Sequence, residues 1–253
     1  SDTTSSVYDT IVVDQPTQLQ IITNADTALC YGDTAQASAF TYGGQNPYFT
    51  NWDNGSSSIT TYLTAGVHYV NVTDFNGCSV SDSVLIIQND SMSISTTNTD
   101  ISCYGLTNGS TQINLISGGV PTYSYSNDNG INFQINNIFS NLSAGTSIYI
   151  IMDANGCNDS ISGIINEPEE LVVTFDTLSL THLICHGDSN GTAIANISGG
   201  TSPYIIDTSW GGLDPNNLSA GLVNVIVTDS NGCLSTNSVI ITEPNPIIVM
   251  ITV

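Results

Sequence analysis

The residues of this 253-residue chain that could do chemistry are six cysteines and a recurring set of aspartates. The cysteines fall into three couples, Cys30 and Cys78, Cys103 and Cys157, Cys185 and Cys233, separated by 48, 54 and 48 residues. Each second cysteine ends the same motif, Asp-x-Asn-Gly-Cys, headed by Asp74, Asp153 and Asp229. Such residues permit two chemistries, disulfide formation and cation binding. Calcium takes oxygen ligands, so these carboxylates are its candidate ligands, but one carboxylate per motif falls short of the roughly six to eight oxygens calcium needs. The competing reading is structural: an Asx-type hairpin turn, with the side chain bonding the backbone and Gly77, Gly156 and Gly232 taking positive φ. That reading is preferred, and calcium is the one cofactor kept open.

The three histidines, His68, His182 and His186, do not recur at equivalent positions. The run His182-Leu183-Ile184-Cys185-His186 has the look of a metal site, yet with Cys185 in a bridge too few ligands remain for zinc. No Ser-His-Asp or Cys-His constellation repeats, and no glycine-rich loop leads from a strand into a helix to hold phosphate. The sequence reads as a non-enzyme.

Composition narrows the partners. The chain has no lysine or arginine against 22 acidic residues, a formal charge of -22, where a chain this long would carry about 30 basic residues. Nucleic acid is excluded as a partner, because phosphate binding needs basic side chains to displace counterions, and an anionic membrane surface fails for the same reason. No apolar run approaches the roughly 20 residues of a spanning helix, so membrane insertion is not expected. Trypsin-like proteases find no cleavage site. Hydrophobic residues make up 40% of the chain, enough to form cores rather than a disordered acidic tail.

The elements that must position the cysteines come in three tandem copies. The first runs from Cys-Tyr-Gly at Cys30 through Gly43-Gly44 and Pro47-Tyr48 to Cys78; the second from Cys103 through Gly118-Gly119 to Cys157; the third from Cys-His-Gly at Cys185 through Gly199-Gly200 to Cys233. Segments such as Ser110–Ser117 and Val223–Asp229 alternate at period two and are rich in Val, Ile, Thr and Tyr, which predicts strands. Asn-Gly and Gly-Gly punctuation predicts tight turns. The expected fold is all-β: tandem immunoglobulin-like β-sandwich modules in an extended array, with one disulfide per module. Boundaries are expected at 17–90, 91–168 and 169–244, with 1–16 closing a preceding module and 245–253 opening a following one.

The repeat favours Cys30–Cys78, Cys103–Cys157 and Cys185–Cys233. Four strands counted between the members of a couple would return the chain to the end it left, within the roughly 7 Å of Cα separation that a bridge requires. Free buried thiols are the alternative. Trp52 and Trp210 follow the Pro-Tyr strand in the first and third copies, where a sandwich core is favoured over a sugar-stacking platform.

The combination Cys-Tyr/His-Gly, Ile-Ser-Gly-Gly, Pro-Tyr, Asn-Leu-Ser-Ala-Gly and Val-Thr-Asp-x-Asn-Gly-Cys resembles the SprB repeat. This family occurs in giant surface adhesins of gliding bacteria. The resemblance spans all three copies; the second departs by an inserted loop through Asn132–Phe139, and the third by His186 after its opening cysteine. It implies type IX secretion, an extracellular position on the cell surface, and a role in adhesion and gliding motility. It further implies a bacterial group that O-glycosylates Asp-Ser/Thr tripeptides followed by an apolar residue or threonine. Candidates are Thr3, Thr10, Thr27, Thr34, Ser83, Ser91, Ser160 and Thr177.

The resulting expectation is a stalk segment of a large secreted filament, with a mechanical and spacing role. Its partners would be neighbouring repeats of the same chain, other filaments and surface polysaccharide. A carbohydrate-binding or calcium-stiffened accessory module of a secreted multidomain protein is the alternative.

Overall fold

The structure, a computed structural model, describes residues 9–209 and 215–251. Trp210 and Thr3 lie outside the described residues. Strands and turns make up its regular structure, with no helix among the described residues.

The first copy contributes β1 (Gln20–Ala25), β2 (Ala35–Tyr42), β3 (Phe49–Trp52), β4 (Thr60–Leu63), β5 (Gly66–Thr73) and β6 (Ser79–Ile86). These form two antiparallel sheets, β1-β2-β4 and β3-β5-β6. Alternation places Ala35, Ala37, Ala39 and Leu63 on the inner face of one, and Trp52, Val70, Val72, Val84 and Ile86 on the inner face of the other, in one core. Burying one side of each pleat against the other sheet is the sandwich solution for period-two segments.

The second copy repeats the scheme with β7 (Ser93–Thr99), β8 (Gly109–Ser117), β9 (Ser124–Ser126), β10 (Ile138–Leu142), β11 (Gly145–Met152) and β12 (Asn158–Ile165), in sheets β10-β8-β7 and β12-β11-β9. The third has β13 (Val172–Phe175), β14 (Ala195–Ser198), β15 (Ile205–Thr208), β16 (Gly221–Thr228) and β17 (Leu234–Ile241), in sheets β13-β14 and β15-β16-β17. The all-β, immunoglobulin-like class expected from the sequence is the class observed.

The chain divides into two compact units: one holds residues up to Ser93 with Leu115–Tyr123 and Met152–Asp159, the other Ile94–Asn114, Ser124–Ile151 and Ser160 onward. The closing hairpin of the second copy, with Cys157, therefore belongs to the same unit as the first copy's Cys30.

Each Gly-Gly pair clasps the segment that leads into its copy. Gly43, Gly118 and Gly199 have φ of 70°, 81° and 67°. A Cβ on them would lie 2.0, 2.1 and 1.9 Å from the carbonyl oxygens of Gln18, Ser91 and Glu170, so no side chain fits. The next amides, of Gly44, Gly119 and Gly200, donate to Thr17, Asp90 and Glu169 carbonyls at 2.7, 3.3 and 2.9 Å. From the other side, the hydroxyls of Tyr48, Tyr123 and Tyr204 donate to the carbonyls of Gly43, Gly118 and Gly199 at 2.7, 3.1 and 2.8 Å.

Candidate functional site

Two recurrent turns carry the cysteines. The opening turn is Cys-Tyr/His-Gly: Gly32, Gly105 and Gly187 take φ of 83°, 74° and 82°. Their amides donate to Gln88 Oε1, Glu167 Oε2 and Glu243 Oε2 at 3.0, 2.9 and 2.7 Å. These acceptors lie just past the last strand of the same copy, so the opening turn is pinned to the end where the chain leaves.

The closing turn is the Asp-x-Asn-Gly-Cys hairpin joining the last two strands. One carboxylate oxygen of Asp74, Asp153 and Asp229 accepts the amide of Cys78, Cys157 and Cys233 at 2.8, 3.0 and 2.8 Å. The other reaches across to the loop after the Gly-Gly pair, accepting the amides of Gln45, Val120 and Thr201 at 3.0, 2.9 and 2.9 Å. The three aspartates are 3%, 5% and 4% exposed. The Gln45 amide, outweighing desolvation, holds the Asp74 carboxyl below its ordinary range. At Asp229 burial opposes ionisation, yet the amides of Thr201 and Cys233 hold that carboxyl low as well. At both carboxyls the amide donors favour the charged form. The preferred Asx-turn reading matches this geometry. No group of three or more His, Cys, Asp or Glu side chains arranged to hold a metal occurs among the described residues.

The cysteines do not pair as expected. Cys30 bonds Cys157 and Cys103 bonds Cys233, with Cα separations of 5.5 and 5.6 Å, while Cys78 and Cys185 are free and exposed. The expected Cys30–Cys78, Cys103–Cys157 and Cys185–Cys233 bridges are thus replaced by bonds from the opening cysteine of one copy to the closing cysteine of the next. Strand register explains why. In the first copy β4 pairs only with the lower half of β2, Ser38 opposite Thr60 and Ala35 opposite Leu63. Meanwhile β3 pairs only with the upper half of β5, Phe49 opposite Thr73 and Trp52 opposite Val70. The two short strands share one descent, the first half in one sheet and the second half in the other. Four strands therefore make three traverses. Cys30 stays by the Gly66/Ile86 end of the β5–β6 hairpin, next to the Ala28–Gln88 bridge, and Cys78 sits at the Thr73/Ser79 end. Those ends are about 25 Å apart at a strand's rise per residue.

Each bond is framed by the same polar contact. Asn155 Nδ2 donates to the carbonyl of Leu29 at 3.3 Å, and Asn231 Nδ2 to that of Ser102 at 3.0 Å. This gives the motif asparagine a role the sequence did not suggest. The Tyr48/Tyr123/Tyr204 latch and the Gln88/Glu167/Glu243 acceptors were equally missed, although all three recur at fixed offsets from the cysteines and the glycine pairs.

Other singled-out residues are placed as follows. Trp52 is 1% exposed and its Nε1 donates to the Ser58 carbonyl at 2.9 Å, a core residue as favoured. His68 meets Asp53 at 3.1 Å, His186 meets Glu243 at 3.3 Å, and His182 Nδ1 accepts the Thr242 amide at 3.1 Å. Thr10, Thr27, Thr34, Ser83, Ser91, Ser160 and Thr177 are all exposed.

Among solved structures the chain is similar to a crystal structure of the N-terminal four Ig domains of Dscam1 isoform 6.44, at 10% identity over 92% of this chain and 74% of that one, with a TM-score of 0.22. Extracellular cadherin domains 1–4 of protocadherin gamma B7 match at 12% identity over 90% and 72%, with a TM-score of 0.26. Superposition at that level carries no argument about function. No curated protein matches the sequence. Residues 95–132, which hold the opening turn, β8, β9 and the Gly118-Gly119 pair of the second copy, are a match to the SprB repeat family.

Proposed function

We propose that the chain is a stalk segment of a large secreted surface filament, holding an adhesive element away from the cell and serving adhesion or gliding. The observation that carries this reading is the bonding of consecutive copies through Cys30–Cys157 and Cys103–Cys233. A bond within a module would only hold that module together, whereas a bond to the next one transmits load past the backbone linker. The SprB match and the lysine- and arginine-free surface support the same assignment, because they fit an exported repeat that resists trypsin-like attack. O-glycans on the exposed Asp-Ser/Thr sites and export by the type IX route complete the proposal.

The test is an antibody to residues 9–209 used on living source cells under flow. Label on long surface fibres is the expected result. Label confined to the medium, together with a secreted polysaccharide-degrading activity, would remove the stalk reading. The alternative, polysaccharide binding, has one observation in its favour: Phe40, Tyr42 and Tyr62 are 55%, 47% and 65% exposed on the outer face of the first copy's β1-β2-β4 sheet. Retention of the chain on insoluble polysaccharide, lost in the Phe40→Ala/Tyr42→Ala variant, would establish it.

A further inference from the structure

Cys78 and Cys185 are not spare thiols of ordinary surface loops. Cys78 sits in the same hairpin as the bonded Cys157 and Cys233. Its amide is held by Asp74 at 2.8 Å, against 3.0 and 2.8 Å in the other two, and Gly77 has φ of 85° against 84° and 84°. Cys185 sits in the same turn as the bonded Cys30 and Cys103, with the Asp188 amide on its carbonyl at 3.4 Å, against 3.2 and 3.2 Å for Asp33 and Leu106. Asn76 stands where Asn155 and Asn231 reach across, and Ile184, 81% exposed, offers the carbonyl that Leu29 and Ser102 offer in the formed bonds. Both halves of the linkage are therefore built and presented.

We propose that Cys78 and Cys185 are linkage sites for another repeat of the same kind. Cys78 takes the opening cysteine of a repeat on one side, and Cys185 takes the closing cysteine of a repeat on the other. The rule is directional: opening joins closing, never like with like. It rests on the two observed bonds and not on the adhesive reading, so either can fail without the other.

Bond formation is a two-electron oxidation. The thiols of Cys78 and Cys185 from two copies lose two protons and two electrons and form one S–S bond, while a small disulfide such as oxidised glutathione takes up both and leaves as two thiols. The exchange runs through a mixed disulfide on one cysteine, which the thiolate of the other attacks.

The experiment uses the full chain at high concentration in a glutathione redox buffer, followed on non-reducing gels with peptide mapping. Wild type should give a ladder of head-to-tail oligomers joined by Cys78–Cys185 alone. The variants Cys78→Ser and Cys185→Ser should each remain monomeric, and their equimolar mixture should stop at a dimer. Both variants leave Cys30–Cys157 and Cys103–Cys233 in place, and the same peptide map checks that these bonds persist. Like-with-like bonds in either single variant, or monomers carrying only glutathione adducts in all samples, would overturn the proposal.

Discussion

The first and second copies build the same sandwich around different residues. In the first, Trp52 fills the core from β3, and β5 and β6 contribute Val70 and Val84, diagonal neighbours on the inner face. In the second, β9 buries Ser126, whose hydroxyl donates to Asp128 at 2.7 Å and accepts the Gly130 amide at 3.0 Å. The lost aromatic volume returns from β11, where Tyr149 stands in the place of Val70, packed 5.7 Å from Phe139 by ring centroids. Room for it comes from Gly163, in the place of Val84: a Cβ there would come within 2.8 Å of Tyr149 Cε2. The phenol then needs a buried partner and donates to Thr111 Oγ1 at 2.9 Å, where the first copy has Ala37. The turns holding the cysteines are unchanged between the two. The framework is fixed and the filling is exchangeable, as expected when cores tolerate volume-conserving changes.

That contrast can be broken most forcefully at Trp52. Trp52→Ala should cost about 4 kcal/mol in urea unfolding; a cost below about 1 kcal/mol would mean that the first copy does not depend on its tryptophan. Next, Gly163→Val should destabilise by about 2–3 kcal/mol through overpacking. Adding Tyr149→Val, which recreates the first copy's valine pair, should recover part of that loss, and additive losses would sink the idea of a traded volume. Smaller again, Tyr149→Phe leaves the Thr111 hydroxyl unpaired and should cost about 1–2 kcal/mol.

Beside its inserted loop, the second copy carries a pH handle at Asp128. The Asn132 amide, followed by the Ser126 hydroxyl and the Asn132 side chain, lowers the Asp128 carboxyl to about 2. A folded-state value below the unfolded one means this carboxylate stabilises the loop above the ordinary aspartate range and ceases to do so as pH falls through about 2. Carboxyl NMR titration of Asp128 should find that low midpoint, and Asp128→Asn should remove the local pH dependence. The smallest expected effect is that of calcium. With both oxygens of Asp74 occupied by amides, millimolar calcium should leave the melting temperature unchanged, and a rise abolished by Asp74→Asn, Asp153→Asn and Asp229→Asn together would restore the calcium reading.

How much of this was legible in the sequence follows from how local each signal is. Asn-Gly turns, paired glycines and alternating strands announce themselves within a few residues, so the all-β class and the Asp74, Asp153 and Asp229 turns could be read directly. The cysteine partners could not. They depend on whether Phe49–Trp52 and Thr60–Leu63 make two traverses or share one, which is set by pairing register rather than by pattern. Tyr149 likewise looks like any strand residue until Gly163, 14 positions on, is seen to face it.

The two disulfides enclose overlapping loops, one from Cys30 to Cys157 and the other from Cys103 to Cys233. A single peptide bond cut anywhere from Cys30 to Cys233 therefore leaves the two ends of the chain covalently joined, because every such cut falls inside at least one loop. With one bond inside each copy, a cut in any connecting segment would sever the chain. Staggered bonding turns a series of links, each a point of failure, into a tether that survives a first nick.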